Sequence, residues 1–393
     1  MLKKFYILFS SVFFISCGSS DSNYDTDEYV NINTTFGTTI NPNNLANYAN
    51  QTVPSYITRD NTTTGNAITN AGATLGRVLF YDKNLSSNNT VACASCHKQA
   101  LAFGDNTVAS QGVNGTTGRH SMRLINTRFA QETKFFWDER AINLETQTTM
   151  PIKDHGEMGF SGANGDADFA TLITKLSAIG YYKELFKMVY GSEEITESKM
   201  QLALSQFIRS IQSFDSKYDV GRALAANDGQ PFSNFTTQEN TGKNLFLTPP
   251  VFDATGNRTS GGFGCAGCHR APEFDIALNS HNNGIIGKIS GTGIDITNTR
   301  APSLRDLVNS SGVPNSQMMH TGAITTLQAV IGHYGTITNA PGNTNLDIKL
   351  LPGGFGQQLH VTAPEVDAVI AFLKTLSGNN VYVDAKWSNP FPN

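Results

Sequence analysis

The sequence predicts a mainly α-helical chain built as two similar domains in tandem, each with long loops. Three observations predict it. Two pentapeptides of one design, "CASCH" at 93–97 and "CAGCH" at 265–269, stand in the two halves of the chain. Each follows a Gly-basic-x-Leu-Phe segment, "LGRVLFYDKNL" from Leu75 and "TGKNLFLTPP" from Thr241. Each unit closes on apolar residues at helical spacing: Met200, Leu204, Phe207, Ile208 and Ile211 in the first, Val366, Val369, Ile370 and Leu373 in the second.

Along the chain, residues 1–16 read as a lipoprotein-type signal peptide. "MLKK" is a short basic start, and "FYILFSSVFFIS" is an apolar run too short to span a bilayer. Cys17 follows directly and is the expected lipidation site. An ordinary secretory peptide with a chance cysteine is the alternative, but a spare thiol would then be the odd one out in an exported protein. The stretch "GSSDSNYDTDEY" has little to bury, so residues 17–60 are expected to form a polar tether. The expected location is the periplasm, with attachment to the membrane only by lipid on Cys17. The first domain is expected over 61–228 and the second over 229–393, joined near "FDSKYDVGRALAANDGQPFSNFTTQE". The second closing helix has Pro364 near its start and Gly378 as its stop. The 36 glycines fit long loops, and a net charge of −4 argues against a nucleic-acid partner.

On a helix, residues at i, i+3 and i+4 share a face. Two thiols at i and i+3 can bond the two vinyl groups of one haem, and a histidine at i+4 then points at its iron. A single CxxC would equally suit a disulfide redox pair or half a zinc site. A zinc site made from both pairs would need no histidine after each. The four remaining cysteines therefore predict two covalently bound haem c groups, on Cys93, Cys96 and His97 and on Cys265, Cys268 and His269. His97 and His269 are the expected iron ligands. The fold class sharpens to two tandem cytochrome c-like haem domains.

Further segments carry a resemblance: "FFWDERAINLETQTTMPIKDHGEMGF", "SHNNGI", "RAPSLRDL" and "MHTGAITTLQAVIGHY". With the two haem motifs, in this order, they make the chain over 70–378 similar to the bacterial dihaem cytochrome c peroxidase family, including its MauG-type branch. The resemblance implies that the first haem reacts with hydrogen peroxide. It also implies that the second haem passes electrons from a small cytochrome c or a cupredoxin. It gives Glu157, in "PIKDHGEM", the acid/base role at the distal side of the first haem. Gln147 and Pro151 match the distal wall, and Trp137 matches a tryptophan between the haems. Apart from the resemblance, Glu157 would be a solvated loop carboxylate and Trp137 a core residue. Asp138 and Arg140 are expected to form a local ion pair. Family members are often dimers, so a homodimer is an open expectation.

The chain departs from the peroxidases at two places. The position sixteen after His97 is Val113, where they carry a histidine that blocks the first iron. An open, five-coordinate first haem follows. The nearby His120 falls where the family has an asparagine close to an inter-haem calcium, and whether it ligates the first haem is left open. Imidazole is a poor calcium ligand. His120 and the insertion "NSSGVPNSQ" both count against calcium as a third cofactor. At the second haem, the position fourteen past His320 is Tyr334, where peroxidases keep methionine and MauG-type proteins keep tyrosine. A thioether raises the potential; an anionic phenolate favours ferric iron and lowers it. Met318, Met319 and His333 are competing ligands. His281 is expected to hold a propionate or a loop, and His155 and His360 have no assigned chemistry. Three functions follow: peroxide reduction to water, peroxide-dependent oxidation of a protein, and electron carriage without catalysis.

Overall fold

Both Gly-basic-x-Leu-Phe segments fold as helices, and in each the glycine marks the closest approach to the helix that closes its unit. In the computed structural model, which describes residues 28–392, the helices are α1 (Val30–Phe36), α2 (Asn70–Tyr81), α3 (Cys93–Cys96), α4 (Leu144–Thr149), α5 (Phe169–Ser177), α6 (Gly180–Tyr190), α7 (Glu197–Ser210), α8 (Lys217–Leu224), α9 (Thr237–Leu247), α10 (Leu327–Gly335), α11 (Ala363–Lys374) and α12 (Asn380–Val383). Two short antiparallel ribbons join them, β1 (Pro250–Phe252) with β2 (Arg258–Gly261) and β3 (His269–Arg270) with β4 (Asp275–Ile276). The expected signal peptide and Cys17 lie outside the described residues.

Helix α2 packs on α7, and α9 packs on α11. A Cβ on Gly76 would lie 2.0 Å from the Ala203 carbonyl oxygen, and one on Gly242 would lie 1.8 Å from that of Ala368. No larger residue fits at either point. Four residues on, on the same helix face, Phe80 meets Phe207 at 5.2 Å between ring centroids and Phe246 meets Phe372 at 5.3 Å. Phe103 then stacks 6.0 Å from Phe80, and Phe274 5.7 Å from Phe246. The sequence repeat is thus a repeat of one helix-pair contact, and each CxxCH motif hangs beside it.

There are two principal apolar cores. The first gathers α2, α6 and α7 with Leu79, Phe80, Phe186, Leu204 and Phe207 at its centre. The second gathers α9 and α11 with Phe246, Phe274, Val369 and Phe372. Tyr218 in α8 belongs to the second core, whereas Ile211, the residue that follows α7, belongs to the first. The tail crosses back: Val381 and Trp387 are buried in the first core, and the Trp387 indole N–H donates to Ser210 Oγ at 3.2 Å.

The described part of the expected tether is packed. Ile32, Phe36, Ile40 and Tyr48 are buried in the first core, and Glu184 accepts from the Ile32 amide at 2.8 Å. A sparse apolar set among asparagines and threonines is enough to dock this segment. The second haem motif is also not helical as expected. Cys265–Gly267 is a single 3₁₀ turn and His269 opens β3. Gly264 enters that turn at a φ of 67°, and Gly267 is a poor helix former. No helix among the described residues is long and apolar enough to cross a membrane.

Candidate functional site

Each CxxCH motif lines its own cavity. The first cavity, about 360 Å³, takes Cys93 and Cys96 from α3, with His97, Phe80 and Leu204 around them. The second, about 580 Å³, takes Cys265, Cys268 and His269, with Phe246, Leu327, Val369 and Leu373. All four thiols are free, and burial pushes Cys93 and Cys265 up to about 12.

The two histidines are prepared in the same way. His97 Nδ1 lies 3.1 Å from the Phe103 carbonyl, and His269 Nδ1 lies 3.2 Å from that of Phe274. A carbonyl only accepts, so each Nδ1 is the nitrogen that donates in this pairing. Burial lowers both pKa values, that of His269 to about 4, so both rings stay neutral. A neutral imidazole anchored through Nδ1 is the form that binds iron. Paired thiols, anchored imidazoles and apolar walls fit a haem c in each cavity.

The first cavity also brings together Glu157, Gln147, Pro151 and Trp137. Glu157 is half-buried, and desolvation, with the nearby Asp154 charge, raises its pKa to about 7 against the opposing pull of Arg140. The Glu157 amide donates to Asp154 Oδ1 at 3.0 Å. Its carbonyl accepts from the Val113 amide at 3.0 Å. A Cβ on Gly112 would lie 2.1 Å from the Gly156 carbonyl, so glycine permits that pairing. The loop carrying Val113 therefore backs the Glu157 segment. Asp138 and Arg140 pair at 2.8 Å as expected, and Arg119 joins Asp138 to Asp295.

One wall is common to both cavities. Trp137, His120, Arg123 and Arg300 line each of them. The Trp137 indole N–H donates to the His120 carbonyl at 2.7 Å, and the Trp137 carbonyl accepts from the Thr299 and Arg300 amides. Its ring lies 6.2 Å from that of His320. Segments from both halves of the chain thus clamp the indole between the cavities. His120 Nδ1 is held by the Thr107 carbonyl at 2.9 Å, while its buried Nε2 has no hydrogen-bond partner. Its donor atom is nitrogen and the neighbouring Arg123 is a cation, both poor neighbours for calcium, which prefers oxygen ligands.

The second cavity holds Tyr334, Met318 and Met319, so the structure brings three of the four candidate ligands to it. The Tyr334 hydroxyl oxygen accepts from Asn283 Nδ2 at 3.0 Å, and burial holds its phenol above the ordinary range. His333 is not on the wall; its Nε2 lies 2.9 Å from the Asn283 carbonyl. His320 lines the cavity with Nε2 bonded to the Gly287 carbonyl. His281 lines it too, whereas His155 pairs with Asp166 and His360 with Asn257, both away from it. Sequence reasoning missed Arg123 and Asn283, which donates to the Tyr334 hydroxyl. Asn283 sits inside the quoted "SHNNGI" and could have been found there; Arg123 carried no local signal.

Residues 70–226 match the family described as di-haem cytochrome c peroxidase. The methylamine utilization protein MauG of Methylophilus methylotrophus is 28% identical over 330 residues, 81% of this chain and 86% of that protein. The cytochrome c551 peroxidase of Nitrosomonas europaea is 26% identical over 324 residues, 78% of this chain and 80% of its own length. Among solved structures, a MauG-like protein associated with microbial copper homeostasis superposes with a TM-score of 0.66 at 28% identity, over 87% of this chain and 99% of that one. The diheme peroxidase BthA of Burkholderia thailandensis shares the fold, with a TM-score of 0.59 at 19% identity over 85% and 89% of the two chains.

Proposed function

We infer that this chain, which belongs to the di-haem cytochrome c peroxidase family, reduces hydrogen peroxide to water at its first cavity with electrons entering at the second. It is an oxidoreductase of the cytochrome c peroxidase type, and the family implies haem c as its cofactor. In this reading Cys93, Cys96 and His97 hold one haem and Cys265, Cys268 and His269 the other. When bound, haem iron supplies the redox chemistry that breaks the O–O bond. The chain supplies the proton handling. Glu157 takes a proton from the near peroxide oxygen and returns it to the far one, which leaves as water. Gln147 and Pro151 shape the wall where peroxide sits. Trp137, on the wall common to both cavities, carries electrons across. The balance is one peroxide, two electrons and two protons to two waters. A small cytochrome c or cupredoxin in the periplasm is the expected donor, with Cys17 as the lipid anchor.

The observation that carries this reading is Glu157, its pKa raised to about 7, in the cavity that holds the first CxxCH motif. Peroxide-dependent oxidation of a pre-reduced small cytochrome c tests it. Sustained turnover that collapses in Glu157→Gln is expected, and a wild-type protein that never oxidises the donor would reject it, as would a simple electron carrier.

A second reading is favoured by one feature. Tyr334 lies on the second cavity with its oxygen held by Asn283, where a phenolate ligand would disfavour ferrous iron. That suits a MauG-type enzyme, which spends peroxide oxidising power on a protein. Peroxide consumption without donor turnover, but with oxidation of an added protein, would select it.

A further inference from the structure

A positive charge, Arg123, stands at the junction of the two cavities with no carboxylate in ion-pair contact. Five cations line the cavities: Arg119, Arg123, Arg140, Arg300 and Lys349. Four have carboxylates: Arg119 with Asp138 and Asp295, Arg140 with Asp138, Arg300 with Asp275, and Lys349 with Asp347. Among the described residues, no carboxylate lies within ion-pair distance of Arg123. Its Nη1 donates to Ser316 Oγ at 3.0 Å and its Nη2 to the Ser303 carbonyl at 2.7 Å, while its Nε, shut off from solvent, has no partner. Asp306, the acid that acts on it electrostatically, already takes the Gly378 amide and the Tyr382 hydroxyl on Oδ1.

The side chain is also held in place. A Cβ on Gly104 would fall 2.9 Å from Arg123 Cγ, so the stem threads past a glycine in the turn that follows the first CxxCH motif. Its hydrogen-bond partners, Ser303 and Ser316, line the first and the second cavity respectively. A partly desolvated cation held only by neutral acceptors lacks the counter-charge that would offset its burial. Desolvation draws the Arg123 pKa down to about 10, the same cost seen from the proton's side. Asp306 acts on it from a distance and makes no ion pair with it, so room remains for an anion brought by the occupants of the cavities. Guanidinium offers a planar fork of N–H donors that matches carboxylates.

We propose that Arg123 is a shared carboxylate anchor: its guanidinium pairs with a propionate of the group in each cavity, so one charge holds and tunes both. The proposal rests on the reading that both cavities carry haem c. A cation beside both haems stabilises the electron-richer ferrous state of each. Its removal lowers both potentials together.

The test uses the holoprotein and its Arg123→Gln and Arg123→Lys variants. Haem content, both midpoint potentials by spectroelectrochemistry, and the propionate bending bands in resonance Raman spectra are measured. In Arg123→Gln, each one-electron reduction equilibrium is expected to shift about tenfold toward ferric, about 59 mV, and the propionate bands of both haems to move. Arg123→Lys keeps the charge but loses the fork, so it restores most of both potentials while the bands stay displaced. A shift confined to one haem, or none, overturns the proposal. If Arg123→Gln does not load haem, the Raman bands of Arg123→Lys decide alone: displaced at both haems supports sharing, and unmoved overturns it. A wild-type protein without two covalent haems would fell the haem reading itself and the proposal with it, and haem content shows this before either variant is compared.

Discussion

The ionisation of Glu157 is expected to set a pH limb on the reaction with peroxide. The carboxyl must be ionised to take the peroxide proton, so activity falls as pH falls. With a pKa of about 7, the ionised fraction rises from about 3% at pH 5.5 to about 97% at pH 8.5, roughly a 30-fold gain in rate. Glu157→Gln removes the base and should cost roughly 10²–10⁴-fold, with no limb left. Two neighbours should move the limb without removing it. Asp154 raises the Glu157 pKa and Arg140 lowers it. Asp154→Asn keeps an oxygen for the Glu157 amide, so it should shift the limb to lower pH, and Arg140→Gln should shift it to higher pH. Stopped-flow mixing of peroxide with the protein alone is the assay, because it removes the pH dependence of any donor. A limb that persists in Glu157→Gln, or neighbours that shift it in the opposite directions, would refute the assignment.

Further outcomes can be checked separately. Tyr334→Phe should change the absorption and EPR spectra of the second haem and raise its potential; unchanged spectra would leave Met318 or Met319 as the ligand. Gly242→Ala should destabilise by about 1–3 kcal/mol through overpacking against the Ala368 carbonyl. Gly332→Ala, in α10 with nothing within 4 Å, should instead stabilise by up to about 1 kcal/mol. Thermal melts compare the two. Buried Glu145 is paired with Arg209, and that pairing with Asn66 outweighs desolvation to hold its pKa down to about 2. A depressed carboxylate stabilises above its unfolded pKa, so about 3 kcal/mol should be lost as pH falls from about 4.5 through about 2. Urea melts across that range should show the loss, and Glu145→Gln should abolish it while costing roughly 3–5 kcal/mol at neutral pH.

What the sequence revealed and what it concealed follow from how local each constraint is. The haem motifs were legible because thiols and histidine must meet one group within five residues. Gly76 and Gly242 repeat because two helix pairs each need one point without a Cβ. Glu157, Gln147 and Trp137 were found by motif order, and they do converge on one cavity. The docked segment from Val30 to Tyr48 was hidden because its apolar residues are few and scattered among asparagines and threonines. The return of Trp387 to the first core was hidden because its partner, Ser210, is remote in sequence. Arg123 was illegible in principle. Its defining property, the lack of an acid, exists only once Asp138, Asp275 and Asp295 have paired with other arginines.

The two histidines are anchored so similarly that they cannot make the two irons different. Each is neutral, half-buried and bonded through Nδ1 to a phenylalanine carbonyl. Arg123 cannot separate them either, since a charge on the common wall moves both potentials the same way. The asymmetry must then arise on the opposite walls: a titratable Glu157 in the first cavity, and Tyr334 with two methionines in the second. An anionic tyrosinate on the second iron would resist the ferrous state that electron delivery requires. The same ligand would ease its oxidation and let that iron share oxidising power with the first through Trp137. If Tyr334 is that ligand, the protonation of its phenol would tilt the chain between the two proposed activities. Asn283 donates to that oxygen whether or not it carries a proton. Asn283→Leu should therefore weaken phenolate ligation and push the second haem toward peroxidase behaviour, with a raised potential and faster donor turnover. An unchanged second-haem potential in that variant would place the asymmetry elsewhere.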